Sequence, residues 1–137
     1  MKIIDIEGIG PAFAKKLTKV GIRSTEALLK RGASEKGRKE IATSAGVNHT
    51  QVLEWVNRAD LYRVKGVGSQ YSDLLENAGV DTVGELSKRV ADNLYDKMVE
   101  VNEAKNLVNK MPGLKQVKGW IAQAKKLPRV VTILEPG

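Results

Sequence analysis

With 137 residues and 42% hydrophobic side chains, the chain has enough apolar material for one compact domain or two small ones. No cysteine and a single histidine, His49, exclude disulfides, a thiolate nucleophile, a cysteine-based zinc site and a histidine-cluster metal site. The net charge of +7 points to a polyanionic partner, nucleic acid or an acidic protein. No apolar run approaches the roughly 18 residues that span a bilayer, and Asp5 and Glu7 interrupt the short N-terminal one. The expectation is a soluble, cytoplasmic protein with no membrane association.

In chain order, nearly every segment reads as a helix with explicit ends. Gly8-Ile9-Gly10 is a tight turn, and Pro11 suits the first turn of a helix carrying Ala14, Leu17 and Val20 to a stop at Gly21. Ser24 caps a helix through Leu28 and Leu29 to about Arg31, with Gly32 just beyond, and Ser34 opens another carrying Ile41 to Gly46. Asn48 with Gln51 has the form of a capping box ahead of a helix bearing Val52, Trp55, Val56 and Ala59 on one face. The pattern restarts at Gly66-Val67-Gly68, where Tyr71, Leu74, Leu75 and Ala78 lead to Gly79. A Thr82–Glu85 capping box then precedes Leu86 and Val90. Further helices run through Leu94, Met98, Val101 and Leu107, and through Val117, Trp120, Ile121 and Ala124. Val130–Leu134 is the one β-like run; pairing with Lys2-Ile3-Ile4, an oligomer contact and a plain tail all stay open for it.

The chain is a duplication. Ile6-Glu7-Gly8-Ile9-Gly10, Leu17 and Gly21-Ile22 return 58 positions later as Val64-Lys65-Gly66-Val67-Gly68, Leu75 and Gly79-Val80. Val52, Trp55, Val56 and Ala59 return 65 positions later, so seven residues are inserted between, most simply by lengthening the helix through Leu94 to Leu107. The expected organisation is a first module over 1–62, a second over 63–128 and a tail over 129–137. Each module carries a second, degraded hairpin, around Ala45-Gly46-Val47 and Met111-Pro112-Gly113.

Charge divides the copies. Positions 15–39 carry nine cationic and two acidic residues, and 67–104 carry three cationic and eight acidic ones. From Lys105 to Leu134 there are seven cations and no acid. A polyanion surface would therefore combine the first hairpin with the C-terminal helices.

These residues resemble the helix-hairpin-helix group, whose pattern is apolar-x-Gly-apolar-Gly, three variable residues, a small residue, and a later Gly-apolar-x-Thr/Ser. Gly8, Ile9, Gly10, Ala14, Leu17, Gly21, Ile22 and Leu28 fill it once. Gly66, Val67, Gly68, Ser72, Leu75, Gly79, Val80, Thr82 and Leu86 fill it again. Over about residues 3–128 the chain resembles an uncharacterised prokaryotic family of tandem helix-hairpin-helix proteins, a domain of unknown function (DUF4332-like). The resemblance implies an all-α fold of two SAM-like modules. It also implies hairpins that contact phosphate backbones without reading sequence, sometimes with a monovalent cation on hairpin carbonyls, and no other cofactor.

Elementary chemistry supports a phosphate role independently. Glycines permit the tight reversal and close approach, and the turn aims amides outward at the positive end of the next helix. The candidate nucleic-acid site is Gly8, Ile9 and Gly10 with Lys15, Lys16 and Lys19, whose ammonium groups lie within three turns of the hairpin. Lys65, Gly66, Val67 and Gly68 form a weaker second candidate, because Asp73 and Glu76 stand on the helix it opens. The expected function is non-catalytic, sequence-nonspecific binding of DNA, or of structured RNA. The alternative is a protein adaptor or scaffold using the acidic second module. Asp92 and Asp96 have no second carboxylate cluster to complete a two-metal site, and no nucleophile–base pair suggests an enzyme. Trp55 and Trp120 read as core anchors, and Lys36, Arg38 and Lys39 as a solvated face.

Overall fold

Side-chain caps set half of the helix starts. Ser24 Oγ accepts from the Ala27 N–H at 3.1 Å, Ser34 Oγ from the Gly37 N–H at 3.1 Å, and Thr82 Oγ1 from the Glu85 N–H at 3.2 Å. Each of these occupies a first-turn donor that has no intrahelical partner. Asn48 Oδ1 likewise accepts from the Thr50 N–H at 2.7 Å. A computed structural model describes residues 1–132, and the regular elements among them are all helices, with no strand. A 3-10 turn at Ile3–Asp5 is followed by α1 (Pro11–Lys19), α2 (Thr25–Gly32), α3 (Glu35–Ala45) and α4 (His49–Leu61). Then come α5 (Ser69–Asn77), α6 (Val83–Ser87), α7 (Ala91–Lys105) and α8 (Leu114–Lys126).

Among the described residues the chain forms two units, Met1–Asp60 with residues 130–132, and Leu61–Arg129. In the first, Ile6, Leu17, Ile22, Leu28, Ile41 and Val56 are buried to within 1% of complete. In the second, Leu61, Leu74, Leu75, Leu86, Leu94, Met98 and Val117 play that part. Each such aliphatic side chain contributes about 1.5–3 kcal/mol of transfer free energy, so the helical periodicity of the sequence translates directly into the two cores.

Two features depart from the sequence expectations, and two settle points that the sequence left open. The seven extra residues of the second unit lie mainly outside the helix. α7 ends 60 positions after α3 (Lys105 against Ala45), whereas α8 starts 65 after α4 (Leu114 against His49), so five of the seven fall in the loop 106–113. The cause is Asn106, which adopts a left-handed conformation at φ 50° and stops α7 before Leu107. Asn102 then brackets Val108, accepting its N–H at 2.9 Å and donating to its carbonyl at 3.2 Å.

The presumed second hairpins are also unlike each other. Gly46 closes α3 at φ 69°, while Gly113 stands at the start of α8 with an ordinary φ of −76°.

Arg38 does not belong to a solvated face. It is 1% exposed and donates to the carbonyls of Gly32 at 2.9 Å, Ala33 at 3.0 Å and Thr132. A guanidinium offers five donors in a fixed fork, which suits it to gathering the carbonyls at the end of α2.

The described part of the C-terminal run, residues 130–132, forms no bridge with Lys2-Ile3-Ile4. Lys2 bridges Ser24 instead, and the Thr132 N–H donates to the Ala33 carbonyl at 2.9 Å, with Val131 6% exposed. Positions 133 and 134 of that run lie outside the described residues.

Glycines inside helices separate by the space around them. An added Cβ would lie 2.4 Å from Val56 Cγ2 at Gly32 and 2.0 Å from the Arg31 carbonyl oxygen at Gly37, but would meet nothing within 4 Å at Gly119. Gly32 is thus the last residue of α2 for reasons of packing, not a stop beyond it. Gly32→Ala and Gly37→Ala are expected to destabilise the protein by about 1–3 kcal/mol each through overpacking. Gly119→Ala is expected to stabilise it by about 0.8 kcal/mol through helix propensity. Urea denaturation of the three variants checks the order.

Candidate nucleic-acid interface

The first hairpin begins with two buried anchors. Ile6 and Ile9 are 1% and 5% exposed, and the Ile9 N–H donates to the Ile6 carbonyl at 3.0 Å, closing a four-residue turn. Gly8, the third residue of that turn, has φ 91°, as a type II turn requires. The turn is fixed from below by Trp55, whose Nε1 lies 3.8 Å from where a Cβ on Gly8 would stand. Trp55 is itself 3% exposed and meets Phe13 of α1 at 5.1 Å between ring centroids. Trp55 is therefore a core anchor, and so is Trp120, also 3% exposed.

The candidate residues divide accordingly. Ile9 and, in the second hairpin, Val67 turn their side chains into the core and can offer only backbone to a ligand. Gly10 begins α1 in extended conformation, with no side-chain cap, and a Cβ there would meet nothing within 4 Å. Helix geometry leaves the amides of Ala12 and Phe13 without intrahelical acceptors, and Pro11 has none to leave. Lys15, Lys16 and Lys19 are exposed and, at about 100° per residue, fall on one side of α1. None of the three forms an ion pair among the described residues. Lys16 Nζ lies 5.8 Å from the Phe13 ring centroid, within cation–π range. Glu7, exposed in the turn itself, and the exposed Asp5 just before it are of opposite sign.

The second hairpin copies the backbone and changes the chemistry. The Val67 N–H donates to the Val64 carbonyl at 3.1 Å, Gly66 has φ 95°, and Gly68 begins α5 with no side-chain cap. Trp120 lies closer than its counterpart, with Nε1 3.0 Å from a Cβ on Gly66, and it meets Tyr71 at 5.4 Å between ring centroids. The Gln123 side chain clamps Lys65, accepting its N–H at 3.0 Å and donating to its carbonyl at 3.2 Å. Lys65 keeps an exposed side chain, but Asp73 and Glu76 replace Lys15 and Thr18 on the following helix. The Gln123 clamp has no separate motif in the sequence. Aligning α4 with α8 pairs Gln123 with Arg58, and that difference is the signal that marks the position.

Other parts of the surface add little to this site. A depression of about 600 Å³ along α3 is lined by Glu35, Lys36, Lys39, Glu40, Thr43 and Ser44 and contains no hairpin residue. Glu26 has its carboxyl pKa lowered chiefly by a hydrogen bond from its own backbone N–H, and further by the N-terminal ammonium 3.1 Å away. No group of three or more His, Cys, Asp and Glu residues among the described ones could hold a metal ion. No described helix is long and apolar enough to cross a membrane.

An all-helical protein of two related units, each opened by a glycine turn seated on a tryptophan, is the class these observations define. Residues 7–127 match the family model described as Domain of unknown function (DUF4332), and the chain belongs to that family. No curated protein and no solved structure matches it.

The two turn glycines give a direct test of the hairpin geometry. Gly8→Ala is expected to cost about 1–2 kcal/mol, because a residue with a Cβ is forced to positive φ. Gly66→Ala is expected to cost more, since its Cβ also presses on Trp120. Equal stability of either variant and the wild type in urea titration would contradict this account of the turns.

Proposed function

We propose that the protein is a non-catalytic, sequence-nonspecific nucleic-acid binder of the helix-hairpin-helix type. It holds duplex DNA, and structured RNA by the same chemistry, through backbone phosphates at the first hairpin. The observation that carries this reading is the open start of α1. Gly10 has unfilled space beside it and no cap, while three exposed lysines free of ion pairs rise along the helix behind it. A phosphate oxygen approaching Gly10 would meet first-turn amides and the positive end of the helix, with ammonium groups to neutralise its neighbours. Trp55 is buried and Ile9 faces the core, so neither offers a stacking surface to bases, in keeping with contact to the backbone.

A second reading, a protein adaptor, draws on α7. Asp92, Asp96, Glu100 and Glu103 are exposed there at spacings of four, four and three, which keeps them near one face of the helix. Lys97 offsets only part of that charge, lying 3.6 Å from Glu100. On this reading a stoichiometric protein partner survives nuclease treatment and is lost with Asp96→Lys/Glu100→Lys.

Salt titration of duplex binding tests the leading proposal. Affinity should fall steeply between about 50 and 200 mM salt with little dependence on sequence. Lys15→Glu/Lys16→Glu should lower it at least tenfold at low salt and reduce the log–log slope by about 2. Glu7→Lys should tighten binding, and Gly10→Ala should weaken it while the variant still unfolds cooperatively. Failure to retain any duplex at low salt, or an affinity indifferent to salt, would sink the proposal.

A further inference from the structure

We infer that the second unit meets the nucleic acid through the outer face of α8 and not through its own hairpin; this rests on the nucleic-acid reading above. The orientation of α8 is fixed by what it buries: Val117, Trp120, Ile121 and Ala124 are all at most 5% exposed. The opposite side carries Lys115, Lys118, Gly119, Ala122, Lys125 and Lys126, every one of them exposed. At about 100° per residue the four lysines fall within an arc of about 100°, and at 1.5 Å per residue they extend over about 16 Å. Lysines stand at both ends of this strip, with Gly119 and Ala122 between them. A Cβ on Gly119 would meet nothing within 4 Å, so no side chain longer than a methyl holds a ligand away from the middle of the helix.

An ordinary solvated helix face does not account for this arrangement. Of the five other exposed lysines of the second unit, three have partners: Lys88 lies 3.9 Å from Glu85, Lys97 lies 3.6 Å from Glu100, and Lys105 donates to Asn77 Oδ1 at 2.7 Å; Lys65 and Lys110 stand singly, outside any row. The four α8 lysines have no ion pair among the described residues, and no acidic residue occurs from Lys105 to Thr132. Lys125 and Lys126 suit the negative C-terminal end of the helix, but Lys115 stands in the first turn, where the helix dipole opposes a cation. Lys115 and Lys118, three apart, also repel each other. The fold gains nothing electrostatic from that end of the strip, whereas a row of phosphates would be complementary to all of it. The only aromatic side chain of α8, Trp120, is buried, so the surface suits a phosphodiester backbone and not exposed bases.

The second hairpin is the poorer contact on the same grounds. Its helix presents Asp73 and Glu76, and the Lys65 amide is already engaged by Gln123. The polarity of the unit follows from its helices: the exposed carboxylates of α7 repel phosphate and the lysines of α8 attract it.

The test compares two full-length double variants of equal charge change, Lys118→Gln/Lys125→Gln on α8 and Lys88→Gln/Lys97→Gln elsewhere on the unit, binding a short duplex of arbitrary sequence across a salt series. The α8 variant is expected to lose at least tenfold in affinity at low salt and about 2 in the log–log slope, the control markedly less. Gly119→Glu, which places a carboxylate in the open centre, is expected to give a loss of at least the same size. Should the wild type bind and depend on Lys15 and Lys16 while the α8 variant matches the wild type or the control, the α8 inference is overturned and the first-hairpin proposal stands. Should the wild type retain no duplex at low salt, both fall.

Discussion

In each unit the opening turn is seated on the tryptophan of the last helix, Gly8 on Trp55 and Gly66 on Trp120. A large indole buried at 3% exposure supplies apolar area that few other residues match, and the turn across it needs glycine for its positive φ in both units and, at Gly66, also for the close approach of Trp120. Phe13 and Tyr71 then complete the aromatic pair from the helix that the turn opens. The result is a rigid seat for a short stretch of backbone whose outer side faces solvent at Gly8 and Gly66. That rigidity suits a backbone-mediated contact, because amides held in place before binding lose little freedom when they meet an anion.

Duplication kept this seat and released the surface around it. Interior pairs stay apolar or small across the copies, as with Ile6 and Val64, Leu17 and Leu75, and Ile22 and Val80. Exterior pairs change sign or lose charge, as with Glu7 and Lys65, Lys15 and Asp73, and Lys19 and Asn77. Even the supports of the hairpin helix recur: the Arg31 guanidinium donates to the Val20 carbonyl and the Arg89 guanidinium to the Gly79 carbonyl. Part of the positive charge in both copies is therefore structural. Arg31, Arg38 and Arg89 bind backbone carbonyls, so counting cations along the sequence overstates what is available to a polyanion.

Most of the helix boundaries were legible because they depend on local chemistry. Ser24, Ser34 and Thr82 cap where hydroxyls precede apolar periodicity, and Gly46 ends a helix because it alone reaches φ 69° without strain. What stayed hidden depends on residues far apart in sequence. Gly32 is needed because Val56 approaches it, Arg38 is buried because α2 presents its carbonyls there, and Gln123 binds Lys65 across 58 positions. The displaced insertion has a subtler cause. Leu107 continues the helical spacing of α7, and only the left-handed Asn106, with Asn102 binding Val108, takes it out of the helix. The backbone part of the candidate site was thus readable from Gly-x-Gly alone. The inward turn of Ile9 and Val67 became visible only with the packing of the cores.

Arg38 also has a consequence for how the protein is made. By holding the Thr132 carbonyl, it draws a residue 94 positions away into the first unit, where Val131 is buried and Thr132 bonds to Ala33. The second unit is thus flanked in sequence on both sides by parts of the first. On the ribosome, residues 1–60 emerge well before the segment that completes their core, and the whole of 61–129 is synthesised in the interval. Until then the Arg38 guanidinium lacks one of its carbonyl acceptors. The unit that begins first is the last to be finished.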